Sequence, residues 1–346
     1  MAMLALGFGV AAANANPARG LTVPEVHPLR PLSLRMVDRC FYAPSAAVLW
    51  PLAPLQHTHP VRSGFDDPRA GRNAHSGVDV EATNGQSVYA VTFGLIHLVV
   101  NRGAFEEHFA IDAVPSGIYY TYWHATLLET LRVGSVVRAG ELIGHVIRPA
   151  GHVHLSESFA SSFDTAWKPC RWVDARRPTG ILHDLHDTEA PTIGPLLAFS
   201  AVHPAEKLDL ADLHGKVDFR AVVSDHPIHH TRLKPQMQLA PAVVGSYLTP
   251  AANTLFVYGH RTISFDGARL ILPSRYPLVY APGTIWDSAC FYSAHEPCHI
   301  KEVFHAHAAG MKTRRYPNGH YQVCVFARTI NAVAARRCTK VTLKNP

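Results

Sequence analysis

From about residue 49 to 182, short runs of β-branched and aromatic residues are broken by glycines every eight to twelve positions. Val88–Val91, Leu95–Val100, Phe109–Val114, Ile118–Trp123 and Leu142–Ile147 are the clearest of these runs. Runs this short and this evenly punctuated predict an antiparallel β domain with few helices. Further on, Lys216–Val223 alternates strictly, placing Val217, Phe219, Ala221 and Val223 on one face of a strand. Tyr316-Pro-Asn-Gly319 reads as a turn, Tyr321–Ala327 alternates again, and a turn at Asn331 leads to a last strand, Thr339–Leu343. The expected fold class is therefore mainly β.

The punctuation also divides the chain. Met1–Ala15 holds an apolar run, Leu4–Val10, and ends in Ala13-Asn14-Ala15, the small-x-small pattern of an export signal cleaved near residue 15. It is too short to span a bilayer, and no other stretch reaches 18 apolar residues, so no membrane span is expected. Residues 16–48 form a Pro-rich leader, 49–182 a first β domain, 183–195 a Pro/Asp/His-rich linker, and 196–346 a second β domain. Export agrees with an even cysteine count of 6. Cys324 and Cys338 are equidistant from Asn331, so they should face each other across a hairpin and bridge. Cys290 and Cys298 are near enough in sequence to pair locally, which leaves Cys40 with Cys170. The net charge of +6 suits an acidic partner. Nucleic acid is not expected, because the basic residues are scattered and no recognition motif accompanies them.

Candidate chemistry centres on Gly151-His152-Val153-His154-Leu155. On a strand, His152 and His154 point to the same face. Upstream, His75 and Asp79 stand four apart, a spacing that keeps both on one side of a strand or of a helical turn. His75, Asp79 and His154 together supply two nitrogens and one oxygen, the three-ligand inventory of a catalytic zinc site. Histidine pairs are weak signals in a chain with 23 histidines, and His305/His307 has no carboxylate motif beside it. His295-Glu296-Pro297-Cys298-His299 spells a helical zinc-protease motif, but Pro297 could not continue the helix that the motif needs.

Five stretches in order raise the first cluster above these. Val61-Arg62-Ser63-Gly64-Phe65, His75-Ser-Gly-Val-Asp79, Tyr122-Trp123-His124, the glycine-punctuated Val133–Gly144 and Gly151-His-Val-His154 resemble the LytM/lysostaphin-type zinc endopeptidases, peptidase family M23. The resemblance spans about residues 50–160. It implies a LytM-like antiparallel sheet, a Zn2+ cofactor held by His75, Asp79 and His154, and catalytic histidines at His152 and His124. It further implies hydrolysis of the peptide part of peptidoglycan in a secreted or cell-envelope location. His152 is assigned as the general base and His124 as support for the oxyanion, roles that sequence leaves exchangeable. Gly151 stands where the family usually has proline, and Leu155-Ser156 stand where it has Phe-Glu, with Glu157 one place late. The second domain resembles an immunoglobulin-like β-sandwich, and its sequence leaves three roles open: binding wall polymer, binding a protein partner, or only supporting the first domain. The competing reading is a catalytically silent wall-binding or regulatory module. A lipoyl-like carrier is excluded because no lysine stands at a hairpin tip.

Overall fold

The computed structural model describes residues 49–103, 106–114, 116–159, 172–176, 180–182, 185, 187–225, 239–252, 257–258, 260–264, 271, 273–286, 301–306 and 310–346. Among them, nearly all regular structure is antiparallel β, as the patterning predicts. In the first half the strands are β1 Val61–Ser63, β2 Pro68–Arg69, β3 Asn73–Ala74, β4 Val78–Glu81, β5 Ser87–Tyr89, β6 Gly94–Val100, β7 His108–Ala113 and β8 Ile118–Trp123. Then follow β9 Ala125–Leu127, β10 Val136–Val137, β11 Leu142–Val146, β12 His152–Ser158 and β13 Trp172–Val173. The main sheet runs β1-β4-β12-β8-β7-β6-β10, with β13 added beside β12, and a smaller sheet runs β5-β11-β9.

Strand β12 is central and buried along its whole length. Its odd positions Val153 and Leu155 enter a core with Val78, Val80, Phe109, Tyr120 and Tyr122. Each such aliphatic side chain contributes about 1.5–3 kcal/mol on full burial. Its even positions His152, His154 and Ser156 are left for the opposite face. The core therefore fixes which way the histidines point.

The second half carries β14 Thr192–Ile193, β15 Leu197–Ser200, β16 Lys207–Leu208, β17 Lys216–Ser224, β18 Val243–Pro250 and β19 His260–Ser264. After a single helical turn, α1 Tyr276–Val279, come β20 Val303–His305, β21 Met311–Lys312, β22 Gly319–Arg328 and β23 Ala334–Leu343. One sheet gathers β14, β15, β16, β20 and β21 around β17, and the other runs β19-β18-β22-β23. Both line one core: Val217, Phe219, Ala221 and Val223 from β17 meet Val323, Val325 and Ala327 from β22. The β22–β23 register places Cys324 opposite Cys338, at disulfide distance. Cys40, Cys170, Cys290, Cys298, His295, His299 and His307 lie outside the described residues.

The two halves meet where it matters for the site. Between β1 and β2, Asp66 Oδ1 accepts a hydrogen bond from Ile271 N at 2.7 Å, and Asp66 O accepts one from the Tyr280 hydroxyl at 2.7 Å. Asp67 Oδ1 accepts from Ala240 N at 2.8 Å, and its Oδ2 accepts from Ser63 Oγ and Gly64 N at 2.7 and 2.6 Å. Burial pushes the Asp67 carboxyl up to about 6, with Arg69 opposing. The same loop carries the backbone that braces His75.

Candidate metal centre

Strand pairing builds the centre row by row. His154 on β12 lies opposite Asp79 on β4 and, on its other side, opposite Trp123 on β8, which in turn faces His108 on β7. Four side chains from four strands thus line one face of the sheet. His75 arrives from the turn before β4. Its path requires Gly77, where an added Cβ would stand 2.6 Å from both His154 Nε2 and the Leu155 carbonyl oxygen. His124 follows β8 in the left-handed region, at φ 61°, which turns its ring toward His152 with centroids 4.6 Å apart. Holding a non-glycine residue there costs about 1 kcal/mol or more.

The donor atoms converge. His75 Nε2 lies 2.7 Å from His154 Nδ1, and Asp79 Oδ1 lies 3.1 Å from each of them. A tetrahedral zinc with bonds near ~2.0–2.1 Å holds its ligands roughly 3.3 Å apart, so a few tenths of an ångström of opening would admit the ion. The hydrogen bonds on the far sides of the rings assign the tautomers. His75 Nδ1–H donates to Gly64 O at 2.7 Å, and His154 Nε2–H donates to Ser156 Oγ at 2.7 Å. Both inward nitrogens then present lone pairs to each other and to a carboxylate. Three acceptors so close repel unless a cation sits among them, and in this sense the residues fit a metal.

Electrostatics agree with that donor set. Burial, reinforced by the charge of Arg69, lowers His75 to about 3, so its ring is neutral and able to ligate. Burial alone would raise Asp79, yet its carboxyl is held well below the ordinary carboxylate value. Arg69 NH2 also reaches Asp79 Oδ2 at 3.2 Å. His152 Nδ1 lies 2.7 Å from Ala150 O and also meets the Arg62 guanidinium, while Nε2 lies 3.6 Å from Asp79 Oδ1. Burial and the adjacent Arg62 lower His152 well below the ordinary histidine value. Burial lowers His124 to about 4, with His154 adding to the effect.

All five residues singled out by sequence thus lie together, and His305 does not join them. Several partners were not anticipated. Arg62 caps the back of the histidine pair, reaching Ala150 O at 3.0 Å and contacting His152 Nδ1. Ser156 fixes His154, and the even spacing of His152, His154 and Ser156 was the available signal. His108 stacks on Trp123 at 3.7 Å, forming a flat wall beside His154. Tyr122, by contrast, is fully buried, and its hydroxyl accepts a hydrogen bond from Val91 N. Glu157 is buried on the core side and accepts from Ile181 N at 3.2 Å.

Residues 73–159 match the model of Peptidase family M23. The chain carries an M23 peptidase domain. Solved structures similar to it include the catalytic domain of the antimicrobial peptidase lysostaphin from Staphylococcus simulans, at 26% identity over 29% of this chain and 79% of that one, TM-score 0.25. A zinc containing peptidase from Vibrio cholerae matches at 22% identity over 38% of this chain and 39% of that one, TM-score 0.30. No curated protein matches the chain. The M23 match covers β3 to β12 and beyond, so it takes in His75, Asp79, His124, His152 and His154 alike. Among the described residues, no helix is long and apolar enough to cross a membrane.

Proposed function

We propose that the protein is an exported zinc metallo-endopeptidase acting on the peptide part of peptidoglycan, with His75, Asp79 and His154 as the metal ligands. The observation that carries this reading is the convergence of His75 Nε2, Asp79 Oδ1 and His154 Nδ1 to within 2.7–3.1 Å, in a domain that matches Peptidase family M23. Bound zinc would supply Lewis acidity, lowering the pKa of a water and polarising a peptide carbonyl.

The other steps belong to this chain's side chains. His152 is the base: Nδ1 is turned away toward Ala150 O and Arg62, so Nε2, 3.6 Å from Asp79 Oδ1, is the nitrogen that accepts the proton beside the donor set. Its depressed pKa keeps it neutral at physiological pH. The same nitrogen later returns the proton to the leaving amine. His124, neutral and 4.6 Å from the His152 ring, donates toward the developing oxyanion. Trp123 and His108 form a stacked surface on which a substrate chain can lie. In this reading the second domain is an immunoglobulin-like sandwich that braces the β1–β2 loop and offers a surface to wall polymer or a protein partner.

The test is zinc analysis of the purified protein together with digestion of purified sacculi, the released fragments being identified by mass. Stoichiometric zinc and fragments cut at a peptide bond are expected. A protein that takes up no zinc from excess metal would overturn the enzyme reading.

A further inference from the structure

The strongest unassigned feature lies in the second half of the chain. A cavity of about 470 Å³ opens there, lined by Asp218, Arg220, Tyr276, Tyr280 and His305, with Arg72 reaching in from the first half. Its floor follows from the strand that built the core. On β17 the apolar side chains alternate with Asp218 and Arg220, which therefore share the face turned away from the core. Strand β20 places His305 directly opposite Arg220. All three polar side chains are buried.

The floor is pre-organised, and Arg72 makes the pocket as a whole net cationic. Asp218 spends both oxygens on its neighbours, accepting from Arg220 Nε at 2.7 Å and from His305 Nδ1 at 2.7 Å. Arg220 also stacks over the Phe199 ring at 4.0 Å, which holds its guanidinium plane in place. With its Nδ1–H donated to Asp218, His305 presents Nε2 to a ligand as an acceptor. Arg72 adds a second guanidinium, against the single carboxylate already neutralised. The walls are aromatic and prolyl, from Tyr276, Tyr280 and Pro282. Among the described lining residues no nucleophile is poised, since Thr284 Oγ1 donates to Ala281 O and accepts from Val303 N. The features are those of a binding pocket: mostly apolar walls with a few fixed polar groups, within the roughly 300–1,000 Å³ of small-ligand sites.

We infer that this cavity binds a carboxylate-bearing group of about dipeptide size, the carboxylate meeting the guanidinium groups of Arg72 and Arg220 and the rest packing against Tyr276 and Tyr280. The carboxylate could be the free end of a peptide or the acid group of an amino sugar. The placement gives the pocket a link to the metal centre that requires no metal itself. Arg72 belongs to the turn joining β2 and β3, the same short hairpin from which Arg69 reaches Asp79 and which ends one residue before His75. A ligand holding Arg72 therefore also steadies the approach to that ligand set.

The experiment is calorimetric titration of the full chain with three probes: N-acetyl-alanyl-alanine, its C-terminal amide, and N-acetylmuramic acid. Each titration is run with zinc and with excess chelator, because a carboxylate would also bind a metal. One or both acids should bind saturably in both conditions, and the amide should bind on the order of ten-fold or more weaker, as expected when a charge-assisted hydrogen bond is lost. Arg72→Ala should weaken acid binding by about ten-fold. Arg72 is exposed, so its variant tests the pocket without threatening the fold. The proposal falls if neither acid binds saturably, if acid and amide bind alike, if binding disappears with zinc, or if Arg72→Ala leaves the affinity unchanged. Binding that persists in a protein without peptidase activity would sink the proposed reaction and leave this site standing. Activity without carboxylate binding would do the reverse.

Discussion

Removing one hydroxyl, in Ser156→Ala, should weaken zinc binding without touching a ligand. Ser156 Oγ lies 2.7 Å from His154 Nε2, and Ser156 is fully buried. Without it, the Nε2–H loses its partner in a site that water hardly reaches. A buried donor stranded in this way costs about 1–3 kcal/mol. The ring can escape that cost by moving its proton to Nδ1, the atom that faces His75 and Asp79, but a protonated Nδ1 cannot ligate. At 1.4 kcal/mol per decade, the loss corresponds to about a 5- to 150-fold rise in the zinc Kd, in line with the roughly 10–100-fold seen when outer partners of metal-bound histidines are removed. The assay is competition for zinc between the protein and a chromophoric chelator at neutral pH. Activity should recover toward the parent value at saturating zinc, because the ligands themselves are intact. Thermal unfolding of the zinc-free variant checks that the strand is preserved. Equal zinc affinity in the two proteins would refute the tautomer assignment and with it the argument that three lone pairs converge.

Asp79→Ala and His154→Ala should lose metal and activity together, whereas His152→Ala and His124→Ala should keep zinc and lose about a hundred- to a thousand-fold in rate, measured on folded protein by metal analysis and peptide release. His305→Ala should leave both zinc and hydrolysis unchanged. Gly77→Ala places a Cβ 2.6 Å from the backbone oxygen of Leu155 and should cost about 1–3 kcal/mol or more in denaturant unfolding, together with zinc affinity; parent-like stability would contradict the packing. Opening the 14-residue Cys324–Cys338 loop by a double serine substitution should lower stability by about 3 kcal/mol, read from the urea midpoint. His75 falls from 6.5 to about 3 and His124 from 6.5 to about 4 on burial, so the folded state resists protons that the unfolded chain accepts. Because Asp67, raised to about 6, opposes this trend, the comparison is with His124→Gln: the urea midpoint of chelator-treated parent should fall more steeply between pH 6.5 and 4 than that of the variant, and parallel profiles would refute it.

Much of this protein was legible in one dimension because the relevant spacings are short. A period of two puts His152 and His154 on one face of any strand, and a separation of four keeps His75 and Asp79 together. Equal distances from Asn331 brought Cys324 opposite Cys338 as soon as a hairpin formed. The apolar face of Lys216–Ser224 was likewise plain from its alternation. What the chain order does not contain is register between distant strands. Tyr122 and Trp123 must face opposite ways, but only the pairing of β8 with β12 sends Tyr122 to the core and Trp123 to the site. The same pairing makes Ser156 a partner of His154 rather than a departure from a motif. The other face of β17 was unreadable for a related reason. Asp218, Arg220 and His305 form one cluster only because strands far apart in sequence are neighbours in the sheet, as the 87-residue separation of Asp218 and His305 shows. Local periodicity fixes the direction of a side chain relative to its own strand. Which groups it meets there is decided by the burial of the sheet as a whole.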